Sequence, residues 1–140
     1  MKNIYISIFA LFTFILNSYA FASICENSQN CKYRHYSKSN YLNYYSTKNI
    51  ENSDSKVERL VIVVHGALRN GDTYFDDTVK TIKNLSLEDS VLLIAPHFRK
   101  VTDVKEKNEH YWGRKWYTKW KYGYISEDSD QISSFEIIDN

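Results

Sequence analysis

The chain has 140 residues, of which 43% are apolar, and its 18 basic side chains nearly balance 17 acidic ones. This length suits a single domain, and the lack of a basic excess argues against a nucleic-acid partner. The four glycines, at positions 66, 71, 113 and 123, include no pair four positions apart, so the chain contains no G-x-S-x-G nucleophile turn. It likewise contains no Walker-type loop and no dinucleotide-binding fingerprint.

Residues 1–22 have the pattern of a secretory signal peptide. A positive start at Lys2 precedes the uncharged apolar run Ile4–Leu16, and Ala20-Phe21-Ala22 offers the small residues that a signal peptidase accepts. The run is shorter than the roughly 20 residues that span a bilayer, although an uncleaved anchor is the alternative. The sequence therefore predicts an exported protein, periplasmic or secreted, with no stable membrane insertion after signal cleavage.

Segment 23–56 is polar and rich in tyrosine. Cys25 and Cys31 lie at its start, and in an exported chain we expect them to form a disulfide. The apolar periodicity of the segment is poor, so we expect an arm packed on the domain edge with little regular structure. Its tyrosines favour partial burial against the body, and a surface for a carbohydrate or a protein partner is the alternative.

Residues 57–140 are predicted to belong to the α/β class. Leu60–Val64 is a continuous, mostly β-branched run, which is typical of a strand covered on both faces. Residues 72–85 have the apolar spacing of a helix, and Val91–Ala95 is a second buried strand that ends at Pro96. This order predicts a βαβ unit of a parallel sheet, with a right-handed crossover and helices on both faces.

Two further features lie in residues 99–140. Residues 99–121 are basic and aromatic, a composition that can stack on bases or sugars or wrap a substrate. The acidic tail after them makes a solvated loop with ion pairs at least an equal alternative. Ser133–Glu136 fits a capping box with Ser133 as the N-cap. A helix is therefore predicted to start just before Asn140, and the domain is expected to be incomplete at its C-terminus.

One stretch of the chain carries a family resemblance. Val61–Asn70 reads V-I-V-V-H-G-A-L-R-N and is followed by Tyr74-Phe75. This pattern resembles the strand and oxyanion-hole loop of the α/β-hydrolase superfamily, most of all a bacterial and fungal subgroup that reads H-G-x-x-R-N and then Y-F. Further matches to that subgroup follow in the same order, so that the resemblance covers residues 57–140. Ile94–Phe98 resembles the A-P-x-F end of its next strand, and Ser134-Phe135 resembles the opening of the helix before its nucleophile strand. Between them, its W…W-x-x-G stretch is matched by Trp112 or Trp116 as the first tryptophan and by Trp120 with Gly123 as the second part.

The resemblance implies the N-terminal portion of a serine esterase, lipase, depolymerase or peptidase. It implies that the oxyanion-hole loop is formed by His65, Gly66, Ala67, Arg69 and Asn70, with the Ala67 amide as the donor. It also makes His97, Phe98, Trp116 and Trp120 candidates for the substrate side. The nucleophile, acid and base would lie beyond Asn140, so no catalytic residue is assigned within this chain and the chain alone is expected to be inactive.

The expected substrate is a small-molecule or polymeric ester, and a Ser-His-Asp mechanism needs no cofactor. The scattered histidines and the cysteine spacing predict no metal site. Two other interpretations stay open. The chain could be a complete, small, exported binding module that uses its Tyr- and Trp-rich surface for glycans or a protein partner, or the product of a degenerate gene.

Overall fold

The computed structural model describes residues 24–51, 56–113 and 119–140. Within these ranges the chain forms a four-stranded mixed sheet and one long helix. The elements are β1 (Lys32–Ser37), β2 (Asn40–Ser46), β3 (Arg59–Ile62), α1 (Gly71–Asn84), β4 (Val91–Pro96), a short 3₁₀ helix (Lys119–Tyr122) and α2 (Glu136–Asp139). The predicted signal peptide lies outside the described residues.

The predicted strand–helix–strand order is confirmed. β3 and β4 pair in parallel, with Arg59 opposite Val91 and Ile62 opposite Ile94, and α1 lies between them in the chain. The helix forms because apolar residues recur on one face, and it buries Phe75 against Tyr45 of the sheet.

The prediction that β3 is covered on both faces is wrong for the described part of the chain. All four residues of β3 are exposed, Leu60 to 57%. The physical reason is that β3 is an edge strand, while α1 packs mainly over β4 and β2.

The expectation of an arm with little regular structure is wrong for residues 32–46. β1 and β2 form an antiparallel hairpin, and β2 also pairs antiparallel with β4, which gives the sheet order β1-β2-β4-β3. All seven residues of β2 are buried. The sequence did not show this strand by an apolar pattern. β2 lies inside the sheet, but tyrosine rings and hydrogen-bonded polar side chains take the positions that aliphatic residues usually fill.

The predicted disulfide is present. Cys25 and Cys31 are bonded, and Cys31 is fully buried in the core under α1. The loop between them is fastened to the helix because the amide and hydroxyl of Ser28 donate to the Asp76 carboxylate (2.7 and 3.0 Å). A disulfide suggests an oxidising compartment. None of the helices in the described ranges combines the length and the apolar character needed to cross a membrane.

The start of α2 differs in part from the helix start that the sequence predicts. α2 begins at Glu136, with Phe135 before it, and no side chain caps it. The Ser133 hydroxyl instead donates to the Gly123 carbonyl (2.8 Å) and accepts from the Phe135 amide (3.1 Å). The predicted start is present only in part: the Ser133 hydroxyl accepts from the amide two residues later, as an N-cap does, and the Ser133 carbonyl accepts from the Ile137 amide (3.1 Å), but the regular helix begins only at Glu136.

Candidate functional site

The candidate site lies at the carboxyl ends of the two parallel strands. Residues 63–70 connect β3 to α1, and His97 and Phe98 directly follow β4. Because parallel strands end at the same edge of a sheet, the loop and the end of β4 meet there. This edge is where open α/β sheets bind their ligands.

Two buried histidines meet behind the loop. The rings of His65 and His97 pack edge to face with their centroids 5.7 Å apart, and the two residues are only 3% and 9% exposed. Gly71 starts α1 against both rings: a Cβ at this position would lie 3.2 Å from His65 Cδ2 and 3.4 Å from His97 Cγ. The helix therefore passes close to the pair, and a Cβ at this position would make tighter contacts than most side chains do.

The hydrogen bonds of His97 define its protonation. Its Nε2 donates to the Arg69 carbonyl oxygen (2.8 Å), because a carbonyl can only accept, and its Nδ1 accepts from the Tyr45 hydroxyl (3.2 Å). Burial, assisted by the charge of Arg99, lowers the pKa of His97 to about 4. His97 is thus a neutral brace between β2 and the loop.

The turn Gly66–Arg69 presents free backbone donors. The Gly66 carbonyl accepts from the Arg69 amide (3.0 Å) and from His65 Nδ1 (2.9 Å). In a planar trans peptide the N–H points opposite to the C=O, so these two bonds turn the Ala67 N–H away from the protein body. Ala67 is exposed, and within the described ranges its N–H has no hydrogen-bond acceptor.

Arg69 holds the next peptide. Its backbone is in the left-handed region (φ 59°), and its Nη1 donates to the Ala67 carbonyl (2.6 Å). Its Nε forms an ion pair and hydrogen bond with the Asp103 carboxylate. Burial alone would raise the pKa of Asp103, but the bonds from Arg69, the Lys100 backbone and Thr102 outweigh burial and lower it.

Aromatic rings pack against the loop on its buried side. The His65 ring lies 5.4 Å from Trp120 and 6.2 Å from Phe98, and both of these residues are nearly fully buried. Burial, as the main cause, lowers the pKa of His65. These rings pack behind the loop and support it from the inside.

The structure places some of the predicted site residues in the loop and others behind it. The five predicted loop residues form the turn and its entry into α1, where the Asn70 carbonyl accepts from the Tyr74 amide (3.2 Å). His97, Phe98 and Trp120 are adjacent to the loop but buried, and Trp116 lies outside the described residues. Contact of these four with a substrate stays a prediction.

Two residues of the site were missed by the sequence reasoning. Tyr45 comes from the segment interpreted as an arm, and Asp103 from the basic stretch interpreted as a solvated loop. The alternation of Leu42 and Tyr44 on one face of β2 with Tyr45 on the other was the available signal for Tyr45. No local pattern points to Asp103, because its partner Arg69 is 34 positions away.

A second cluster has the residue types of a metal site. His110, Asp128 and Asp130 each offer one ligand atom, and these three atoms lie within 4.8 Å of one another. However, Asp128 accepts from His110 Nδ1 (2.9 Å) and the Asp130 amide (2.9 Å), and Asp130 accepts from the amides of Ser39 (2.9 Å) and Asn40 (2.7 Å). Since these donors already occupy the carboxylates, the cluster fits a structural tie between the β1–β2 turn and the 126–132 loop, and it does not fit a cation.

The fold and the loop together define a disulfide-bonded α/β protein with a mixed sheet and exposed backbone donors at the carboxyl ends of its parallel strands. No protein-family model, curated protein or solved structure matches this chain.

Proposed function

We propose that residues 57–140 are the N-terminal part of an exported serine hydrolase of the α/β-hydrolase class, and that residues 65–70 form its oxyanion-hole loop. One observation carries the proposal: two donors hold the Gly66 carbonyl, so that the Ala67 N–H faces outward with no acceptor in the described chain. Such an amide is the group that stabilises the negative oxygen of a tetrahedral acyl-transfer intermediate.

The place of the loop in the chain supports this assignment. In α/β-hydrolases one oxyanion donor comes from the loop between the third strand and the first helix. Residues 63–70 connect the third strand of this chain to its first long helix. A preorganised amide of this kind contributes about 3–4 kcal/mol to lowering a barrier, and bonds from His65 and Arg69 supply the preorganisation.

The remaining catalytic groups are proposed to follow Asn140. A serine nucleophile, an acid and a histidine base would complete hydrolysis of a small-molecule or polymeric ester, and the second oxyanion donor would come with the nucleophile. The outer edge of β3 is unpaired within the described residues, so a further parallel strand has room beside it. The disulfide supports the proposed export to the periplasm or the medium.

The DNA beyond codon 140 tests this proposal. We expect a G-x-S-x-G motif, in frame or after a frameshift, within several dozen codons. In the longer protein, a fluorophosphonate probe should label that serine, and the matched Ser→Ala variant should stay unlabelled. The proposal is contradicted if no such motif follows, or if the serine in it does not react.

The alternative of a binding module is less well supported by the aromatic residues. Trp112 and Trp120 are buried, which leaves exposed rings such as Tyr36, Tyr122 and Tyr124 for a glycan or protein partner. A complete module should melt cooperatively as a monomer and show near-UV structure. Aggregation or loss of near-UV structure would favour the hydrolase proposal.

A further inference from the structure

Arg69 adopts a backbone conformation that costs free energy. Its φ of 59° is left-handed, a conformation that is unfavourable for residues other than glycine because the Cβ comes too close to the following carbonyl oxygen. Such conformations persist only where surrounding contacts over-determine them. Here the Arg69 amide donates to the Gly66 carbonyl (3.0 Å), and the Arg69 carbonyl accepts from His97 (2.8 Å).

The guanidinium of Arg69 links two partners. Its Nε bonds to the Asp103 carboxylate, while its Nη1 donates to the Ala67 carbonyl (2.6 Å). Because a guanidinium is planar and its donors form a rigid fork, fixing Nε on Asp103 also fixes the direction of Nη1. The Ala67–Leu68 peptide is thus linked through Arg69 to a carboxylate that lies 34 positions away from Arg69 in the chain.

Asp103 is itself held to the sheet. Its carbonyl accepts from Arg99 Nη1 (2.8 Å), and Arg99 forms a buried ion pair with Glu109 (3.1 Å between Nε and Oε1). Glu109 in turn accepts from the side-chain amide of Asn43 in β2. A continuous chain of polar contacts therefore connects the interior strand β2 to the turn at Ala67.

We propose that Asp103 is a positioning residue for the loop: its carboxylate holds Arg69 so that the Ala67–Leu68 peptide keeps one orientation and the Ala67 and Leu68 N–H groups stay turned outward. This inference rests on the proposed function only for what those N–H groups bind. The positioning itself depends only on contacts within the 140-residue chain, whatever the loop binds.

Backbone ¹⁵N relaxation of the full, oxidised chain tests the positioning. In the parent we expect order parameters of about 0.85 at Ala67 and Leu68, and in Asp103→Ala values below about 0.6. Asp103→Glu keeps the carboxylate and should restore much of the order. The matched control is Glu106→Gln, which removes a surface ion pair with Arg34 (2.5 Å) and should leave the loop rigid.

Selective loosening of residues 67–69 in Asp103→Ala, with the sheet unchanged, supports the inference, and an equally rigid loop overturns it. If Asp103→Ala unfolds the chain, Arg69→Lys decides, because an ammonium pairs with Asp103 but lacks the planar fork that reaches Ala67. A loop that stays rigid in Arg69→Lys then overturns the inference. Failure of the hydrolase proposal would appear separately, as an unlabelled serine, and would leave these order parameters unchanged.

Discussion

His97 keeps the loop in place as a neutral imidazole. The Arg69 carbonyl requires a proton on Nε2, and the Tyr45 hydroxyl donates to the unprotonated Nδ1, so a second proton on Nδ1 would force the bond with Tyr45 to reverse its direction. Burial makes that second proton unfavourable as well. The loop therefore depends on a histidine that stays uncharged at neutral pH.

Stability should consequently fall in mild acid. The pKa of His97 is about 4 in the folded chain against 6.5 as its ordinary value, so the unfolded chain takes up the proton first as pH decreases. The resulting stabilisation is fully present above pH 6.5, is lost as pH falls through 4, and amounts to about 3 kcal/mol. Urea unfolding of the oxidised chain between pH 7.5 and 4 measures this slope.

The His97→Gln variant should remove most of this slope, and the part that persists should reflect His65, whose pKa burial lowers in the same direction. His35→Gln is the control, because His35 lies in β1, away from the loop. A His97→Gln chain with the same slope as the parent would show that His97 does not drive the acid sensitivity.

At the scale of elements, α1 and the loop are coupled where the helix starts. Replacing glycine by alanine inside a helix usually stabilises it by about 1 kcal/mol. At Gly71 the new Cβ would press on the rings of His65 (3.2 Å) and His97 (3.4 Å), which are buried and hydrogen-bonded. To make room for the Cβ, the rings would have to shift by a few tenths of an ångström against their hydrogen bonds to the loop.

We therefore expect Gly71→Ala to destabilise the chain by about 1–2 kcal/mol, the usual cost of overpacking. Thr81→Ala on the exposed face of the same helix is the control and should be neutral or slightly stabilising. Urea denaturation gives both free energies of unfolding. A Gly71→Ala chain that gains stability as Thr81→Ala does would mean that the histidine rings yield to the helix.

The elements also show what the sequence could predict. β3, α1 and β4 were predictable because local apolar runs and helical spacing depend on near neighbours. β2 was not, because its polar residues are satisfied across the chain: Asn43 by Glu109 and the Asn40 amide by Asp130. The short motif placed residues 65–70 together after β3, and their role as an oxyanion-hole loop stays a prediction. Tyr45 and Asp103 could not be predicted, because they reach the loop through contacts with residues 52 and 34 positions away.

At the scale of the whole molecule, the two faces of the sheet differ. α1 covers one face, while the other carries an open apolar groove of about 430 Å³. Leu42, Leu60, Ile62, Leu92 and Ile94 line it from the sheet, and Ile137 and Ile138 from the side of α2. Leu60 and Ile62 are 57% and 40% exposed there. Apolar surface of this kind is uncommon on a soluble monomer unless something binds it.

The backbone at the edge of this face is open as well. The Arg59 and Val63 amides donate to the Ser90 and Ile94 carbonyls of the neighbouring chain segment (3.1 and 2.9 Å). Backbone groups alternate in direction along a strand, so those of Leu60 and Ile62 point to the side of β3 where no described strand pairs. An unpaired edge next to an apolar face favours self-association.

The folded chain should therefore bind the hydrophobic dye ANS at neutral pH and self-associate as its concentration rises. Ile62→Glu places a charge in the groove and should reduce both dye fluorescence and the associated fraction in sedimentation velocity. Leu85→Glu is the matched control, because Leu85 is more exposed (62%) but lies at the end of α1. Since equal loss in the two variants would reflect added charge alone, only a selective effect of Ile62→Glu assigns the association to the uncovered sheet face.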